Sequence, residues 1–368
     1  GPVAQPERVG PAALRLGAAT GFPVLADPLS GARYSPSNGA HVVAGYDLFL
    51  RSEEAREVLS PDLVLRVGGS PTSSGALAYL AESAQALQVV LDDGHRWKDH
   101  LASAHEYLRA DPAALLLSLA AETYGDPPPA WRDAWSDAES RTLDLLAGSG
   151  MKGVVEGRVL AMVPRTLPPG SSLFVGSSMP IRDLDAFGLP EGKPLRVFGN
   201  RGVSGIDGLV STAGGLALGS SWEEGSQGDS QGDSGDRPTV GVLGDLAFLH
   251  DMNGLLALRS FRPSLTLVVV NNDGGGIFHF LPQREHAGVP PILHHPSRLG
   301  LSDVGGAVRN SLCPGRVRPG AEGASDSVHG ELRSRDSGDS DRGGGGSSPE
   351  KRSRVGGGEC HEGSETIP

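Results

Sequence analysis

The chain has 368 residues, a formal net charge of −12 and a pI near 5.4, long enough for two domains with cores of their own. The acidic balance excludes a nucleic acid or a polyanionic membrane as partner, because binding either rests on Lys and Arg displacing counterions from phosphates; any anion must be bound locally. Two cysteines, Cys313 and Cys360, give no disulfide framework and point to a reducing compartment. There is no apolar run of 18 residues, and "GPVAQPERVG" has neither the basic nor the apolar part of a secretory signal; the missing initiator Met suggests that Gly1 is not a natural start.

In chain order, "PERVGPAALRLGAATG" from Pro6 reads as a helix closed by glycine, and "FPVLAD" as a strand. Two short buried strands, "PDLVLRVGGSP" and "LQVVLDDG", flank the helical "SSGALAYLAESAQA", which implies right-handed crossovers and a parallel sheet in a first domain, 1–130. "YGDPPPAW" breaks the alternation, and a polar helix from Trp131 to about Leu146 serves as connector, 131–150. A second domain, 151–312, alternates helix "EGRVLAMVPRTL", strand "SLFVGSS", helix "IRDLDAFG", strand "PLRVFGN", helix "IDGLVSTAGGLALG", strand "TVGVLGD", helix "LHDMNGLLALRS" and strand "LTLVVVNN". "EEGSQGDSQGDSGDRP" (223–238) is expected to be a solvated loop, and 313–368 a disordered low-complexity tail. The fold class expected is therefore α/β, with two doubly wound parallel-sheet domains and a disordered C-terminal tail.

The chemistry concentrates in "VVVNNDGGGIF" (268–278), an apolar β-branched run of fully buried appearance set against Asn, Asp and Gly. "GVLGD" ends at Asp245, 27 positions before Asn272, which is one crossover, so the two should end neighbouring strands at the ligand-binding edge of the sheet. A carboxylate, an amide oxygen and the Gly274 carbonyl suit Mg²⁺, which keeps its other positions for phosphate and water. The helix expected just after Asp245 would turn its free N–H groups to the same anion, and Gly274 to Gly276 would let the backbone turn sharply there. The alternative stays open that an Asp or Asn at a strand end caps a helix or forms a turn. "GNRGVSGIDG" lacks the G-x-G-x-x-G order, "GGGGSS" has no P-loop lysine, and His294, His295 and Asp303 resemble a metal cluster only superficially.

Together with "LFVGSSMPIRDLD", "NRGVSGIDGLVSTA", "GDLAFLHDMNGL" and "NNDGGGIFHFLPQ", the GD…NN spacing resembles the thiamine-diphosphate motif as it stands in the 2-succinyl-5-enolpyruvyl-6-hydroxy-3-cyclohexene-1-carboxylate synthase family, with Leu246 where the wider superfamily has Gly. The resemblance is strong from about Leu173 to Gln283 and weaker but continuous through "GFPVLADPLSG" and "LVLRVGGSPTS". It implies thiamine diphosphate with Mg²⁺, or Mn²⁺ in its place, held by Asp245, Asn272 and Gly274. Gly244, Leu246 and Ala247 would lie against the diphosphate, Ser178 and Met179 beside the cofactor, and Ile206 under its bend. Arg182 and Arg201 would bind carboxylates, for which a guanidinium fork is suited, and Ile277 and Phe278 would form an apolar substrate wall. From the residues alone, Arg182 could equally pair with Asp183 or Asp185, Arg201 cap a helix, and Phe278 belong to a core.

The resemblance further implies decarboxylation of 2-oxoglutarate and addition of the product carbanion to isochorismate, in menaquinone or phylloquinone biosynthesis. The family's activating glutamate lies in a pyrimidine-binding domain that is not in this sequence. The chain therefore reads as a fragment with no catalytic glutamate, inactive alone, acting as a homo-oligomer or as part of a larger chain, in cytoplasm or plastid. Glu82, Glu106 and Glu122 are not promoted to that role. Ser74 and Gly75 stand where the family has a Lys after "TS", which puts one carboxylate contact in doubt. Two alternatives are another thiamine-diphosphate decarboxylase or acetolactate-type synthase, and a non-catalytic scaffold chain.

Overall fold

Every strand pairing among the described residues is parallel, so each strand needs a crossover to return the chain, and the helices supply it. The computed structural model describes residues 1–94, 97–123, 125–148, 155–226 and 237–281, all within one unit, Gly1–Leu312. His294, His295, Asp303, both cysteines, most of the 223–238 insert and the tail lie outside the described residues.

The first half opens with α1 (Pro6–Thr20), which has proline in its first turn and ends on Gly21 in the left-handed region at φ 66°. Strands β1 (Val24–Leu25) and β2 (Val42–Val43) form a two-stranded sheet. After α2 (Tyr46–Phe49) and α3 (Glu53–Val58) come β3 (Leu63–Val67), α4 (Ser74–Glu82), β4 (Leu87–Asp92) and β5 (Glu106–Arg109), whose strands form a second sheet in the order β3-β4-β5. Helix α4 starts where Ser73 Oγ accepts the Ala76 N–H at 2.9 Å. Helix α5 (Pro112–Glu122) packs on α1, and α6 (Pro129–Ala147) is the expected polar helix. One face of α6 is nonetheless apolar: Trp135 meets Phe49, Tyr79 and Trp131 edge-on at 5.8, 5.8 and 5.9 Å. Gly10 of α1 crosses the Gly31 backbone so closely that a Cβ would sit 2.2 Å from the Gly31 carbonyl carbon.

The second half contains α7 (Val155–Thr166), β6 (Ser172–Val175), α8 (Met179–Phe187), β7 (Arg196–Phe198), α9 (Leu209–Ser226), β8 (Thr239–Gly244), α10 (Asp245–His250), α11 (Gly254–Phe261), β9 (Leu265–Val270) and a 3₁₀ turn, Gly276–Phe280. Its strands lie in the order β7-β6-β8-β9. The chain leaves β6 in one direction and returns on its other side as β8, so the carboxyl ends of β6 and β8 flank a topological switch point. One sheet face carries Leu160, Leu173, Val175, Ile181, Leu184 and Val242, the other Phe174, Leu209, Val210, Ala213, Leu243 and Phe248.

Three local expectations are corrected. Helix α9 continues through Ser226, so the polar run does not leave the helix at 223. The helix expected over "LHDMNGLLALRS" is two helices, interrupted at Asp251 to Asn253, where the Asp251 carboxylate accepts from the Ser211 N–H (2.7 Å) and Oγ (3.0 Å) at the start of α9. Strand β9 is not fully buried: it is the last strand of its sheet among the described residues and each residue keeps some exposure, because only β8 pairs with it.

The two halves are joined by a buried ion pair. Arg33 Nη2 meets Asp185 Oδ1 of α8 at 2.7 Å, and Tyr46 donates to the same oxygen at 2.6 Å. The other Arg33 donors are also filled, Nε by the Ala26 carbonyl and Nη1 by the carbonyls of Leu184, Asp185 and Gly188. Burial opposes the guanidinium charge, but neighbouring Tyr46 and Asp185 hold its pKa above the ordinary value. Burial lifts the Asp185 carboxyl to about 7, with Asp27 and Asp47 adding to it, against the opposing pull of Arg33 and the Tyr46 hydroxyl.

Candidate metal and anion site

All the site residues expected from sequence emerge at the carboxyl ends of the four strands of the second sheet. Ser178, Met179 and Arg182 follow β6, Arg201 and Ile206 follow β7, Gly244 to Ala247 end β8 and begin α10, and Asn272, Gly274, Ile277 and Phe278 follow β9. The register pairs Gly244 with Val270, so Asp245 lies one residue and Asn272 two residues beyond a matched pair on adjacent strands. This is the juxtaposition that the crossover spacing predicts.

Asp245 is 4% exposed. Its Oδ1 accepts the N–H of Leu246 at 2.8 Å within the first turn of α10, whose N-cap is Gly244 with no side-chain capping bond. Its Oδ2 is buried without a hydrogen-bond partner. Leaving a buried acceptor unsatisfied costs about 1–3 kcal/mol, and more when the group is charged, which a cation at that oxygen would offset. At Gly244, a Cβ would meet nothing within 4 Å, so the chain leaves open space over the strand end. These features fit a divalent ion with an attached anion. Helix α10 contributes less than expected, since its six residues carry only a small dipole.

Asn272 is held from both ends. Its Oδ1 accepts the Gly274 N–H at 3.2 Å, and its Nδ2 donates to Glu156 Oε1 of α7 at 3.0 Å. The turn around it needs three consecutive left-handed residues, Asp273 (φ 62°), Gly274 (φ 83°) and Gly275 (φ 64°), which explains the glycines after the strand. The turn-forming and the metal-facing roles of Asn272 are compatible, because an amide oxygen has two lone pairs.

The segment after β6 carries strain. Ser178, the residue before α8, has φ 72° and ψ −131°, a region that non-glycine residues avoid at a cost of about 1–3 kcal/mol and that clusters at ligand sites. Ser177 Oγ donates to the Asn200 carbonyl at 3.1 Å, tying this segment to the loop that carries Arg201. Arg182 donates to the Ser178 carbonyl at 2.7 Å rather than to Asp185, which belongs to Arg33. Its outer surface is exposed, yet burial around the guanidinium and then the nearby Arg201 hold its pKa below the ordinary value, while Asp183 opposes them. Arg201 makes no hydrogen bond or ion pair among the described residues, and its charge is the second of the two causes that lower the Arg182 pKa. Ile206 packs half-buried on the Phe174 and Leu209 cluster, whereas Ile277 and Phe278 are only partly covered in the 3₁₀ turn.

Sequence reasoning missed two acids here. Glu156 reads as an ordinary first-turn acid of α7, and nothing in the chain links it to an amide 116 residues later. Asp183, on α8, has its carboxyl pushed up to about 7 by burial and by Glu156, against Arg182. At the position where Lys was expected, Ser74 is exposed at the start of α4, and a Cβ on Gly75 would come within 2.8 Å of the Asp47 carbonyl oxygen. Glu82 pairs with Arg56 at the surface. Among the described residues no group of three His, Cys, Asp or Glu is placed to hold a metal, which leaves the mixed carboxylate and neutral-oxygen set as the candidate. No helix of the described residues is long and apolar enough to cross a membrane.

No family model matches the chain. It is 42% identical over 283 residues to the 2-succinyl-5-enolpyruvyl-6-hydroxy-3-cyclohexene-1-carboxylate synthase of Chloroflexus aurantiacus, covering 76% of this chain and 46% of that protein. It is 45% identical over 272 residues to the synthase of the same name from Halobacterium salinarum (74% and 43%), and 40% identical over 283 residues to that of Geobacillus kaustophilus (75% and 45%). The chain thus spans less than half the length of the curated relatives it matches. Over about three quarters of its own length, the chain is homologous to the 2-succinyl-5-enolpyruvyl-6-hydroxy-3-cyclohexene-1-carboxylate synthase family.

Proposed function

We propose that the strand ends form the diphosphate and Mg²⁺ half of a thiamine-diphosphate site, in a synthase that decarboxylates 2-oxoglutarate and joins the product to isochorismate. The observation that carries this reading is the buried, unpartnered Oδ2 of Asp245, on the strand end next to β9, which Asn272 follows by two residues. Asp245, the Asn272 amide oxygen and the Gly274 carbonyl would hold the ion, with Mn²⁺ as an acceptable substitute. Gly244, Leu246 and Ala247 would border the diphosphate in the open space over the end of β8. The cofactor, when bound, supplies the electron sink that decarboxylation of a 2-oxo acid requires.

The protein's part is binding and orientation. Arg182 and Arg201 would receive substrate carboxylates; burial first and the nearby Arg201 second lower the Arg182 pKa, and an anion beside the two guanidinium groups would offset both effects. Ser178 and Met179 would border the cofactor, Ile206 would support it from below, and Ile277 with Phe278 would shield the reacting end from water. The pyrimidine half of the site and its glutamate would come from a further domain carried by a longer chain, and this portion alone would turn over little. The boundaries 1–130, 131–150, 151–312 and 313–368 form part of the same proposal.

Calorimetric titration of the chain with thiamine diphosphate in the presence of Mg²⁺ tests the reading. Binding that disappears on omitting Mg²⁺ and in Asp245→Ala is the expected result; equal binding by Asp245→Ala overturns the site.

A further inference from the structure

We propose that Glu156 is a positioning residue that fixes which end of the Asn272 amide faces the ion. The inference rests on the metal reading above and assigns a residue outside its ligand set. A carboxylate offers only acceptors, so Glu156 Oε1, 3.0 Å from Asn272 Nδ2, can pair with the NH₂ end alone. The oxygen end is then turned to the Gly274 N–H at 3.2 Å and keeps a second lone pair. Rotating the amide by half a turn would set Oδ1 against the Glu156 carboxylate and the NH₂ against the Gly274 N–H. Both contacts would become repulsive, and a nitrogen that cannot ligate would occupy the oxygen's place.

The space around the nitrogen end is shaped for it. A Cβ at Gly276 would fall 2.5 Å from Asn272 Nδ2, so the bare glycine leaves the room that the NH₂ group fills. The amide is therefore enclosed by α7 through Glu156, by the left-handed turn through Gly274, and by Gly276 beneath. Without Glu156, only one hydrogen bond from Gly274 would favour one orientation over the other. Partners that orient a metal ligand in this way typically change affinity by about 10- to 100-fold when removed.

Two measurements on the full chain test the proposal. In metal-free protein, the Asn272 side-chain NH₂ signals, identified in a ¹⁵N–¹H spectrum by their loss in Asn272→Ala, should be hydrogen-bonded and slow to exchange. They should move to exposed-amide positions in Glu156→Ala; unmoved signals overturn the proposal whether or not metal binds. In Mg²⁺ titrations with thiamine diphosphate, Glu156→Ala should weaken Mg²⁺ binding about 10-fold or more, with the isosteric Glu156→Gln as a variant that keeps the packing. Asn272→Asp should also bind poorly, because it faces Glu156 with a second carboxylate, and Glu156→Gln in that background should recover affinity by donating to it. Failure of that recovery, or full affinity in Glu156→Ala, overturns the role of Glu156. Retained binding in Asp245→Ala instead overturns the metal reading itself, so the two failures are distinguishable.

Discussion

Replacing Arg33 with Met should cost the protein about 3–5 kcal/mol at pH 8, the range for a buried ion pair that loses one partner. The structure gives the reasons. Arg33 and Asp185 are 1% exposed each, the guanidinium fills four backbone carbonyls besides the carboxylate, and methionine restores none of those bonds. The sign with pH follows from Asp185, whose carboxyl is raised from 3.8 to about 7 in the folded protein. A raised acid binds its proton more tightly when folded than when unfolded, so stability falls as pH rises from about 4 to about 7 and is level above that. Arg33 is the main group opposing the rise; without it the carboxyl moves higher and the fall continues past pH 7. Urea unfolding at pH 5.5 and pH 8 of the wild type, Arg33→Met, Asp185→Asn and the double variant reads these terms directly. The deficit of Arg33→Met should be larger at pH 8, and the double variant should recover at least half of it. A single variant within about 1 kcal/mol of wild type at pH 8, or a deficit independent of pH, refutes the reasoning.

Three further outcomes follow from the packing. Gly10→Ala ought to gain about 1 kcal/mol of helix propensity, yet it should lower the melting temperature, because its Cβ would lie 2.2 Å from the Gly31 carbonyl carbon, a backbone atom that cannot step aside. Gly244→Ala should leave stability within about 0.5 kcal/mol, since φ −76° and ψ 164° suit alanine and no atom lies within 4 Å, but thiamine-diphosphate binding should be lost as the methyl enters the diphosphate space. Trp135→Ala should cost about 3–5 kcal/mol in chemical denaturation, as three edge-on aromatic contacts and the seal over α2 and α4 go with it.

The helix and strand order of the second half was legible because its signals are local. Short apolar runs alternate with helical segments, and β6, β7 and β8 end at or just before a glycine. The Asp245 and Asn272 pair was legible for a related reason: one crossover has a nearly fixed length, so spacing along the chain translates into adjacency across the sheet. What depends on distant residues was not. Arg33 sits in a loop of the first half, and no periodicity announces that Asp185, 152 residues later, will receive it. Glu156 is hidden in the same way behind an ordinary helix start. The burial of β9 was misjudged because an apolar run has the same composition whether it has neighbours on one side or two. The break between α10 and α11 was missed because Asp251 looks like any polar helix residue until Ser211 is brought beside it.

Strand β9 has one further consequence. Its segment, Leu265–Val270, contains no charge, proline or glycine, and β8 occupies only one of its two sides among the described residues. Among the described residues no strand pairs with its other side, and an unpaired edge on so strongly β-forming a sequence is the condition under which chains recruit one another into fibrillar stacks. Preparations of this polypeptide are therefore expected to clump with rising concentration, and a lysine placed outward at Thr266 should improve their shelf life.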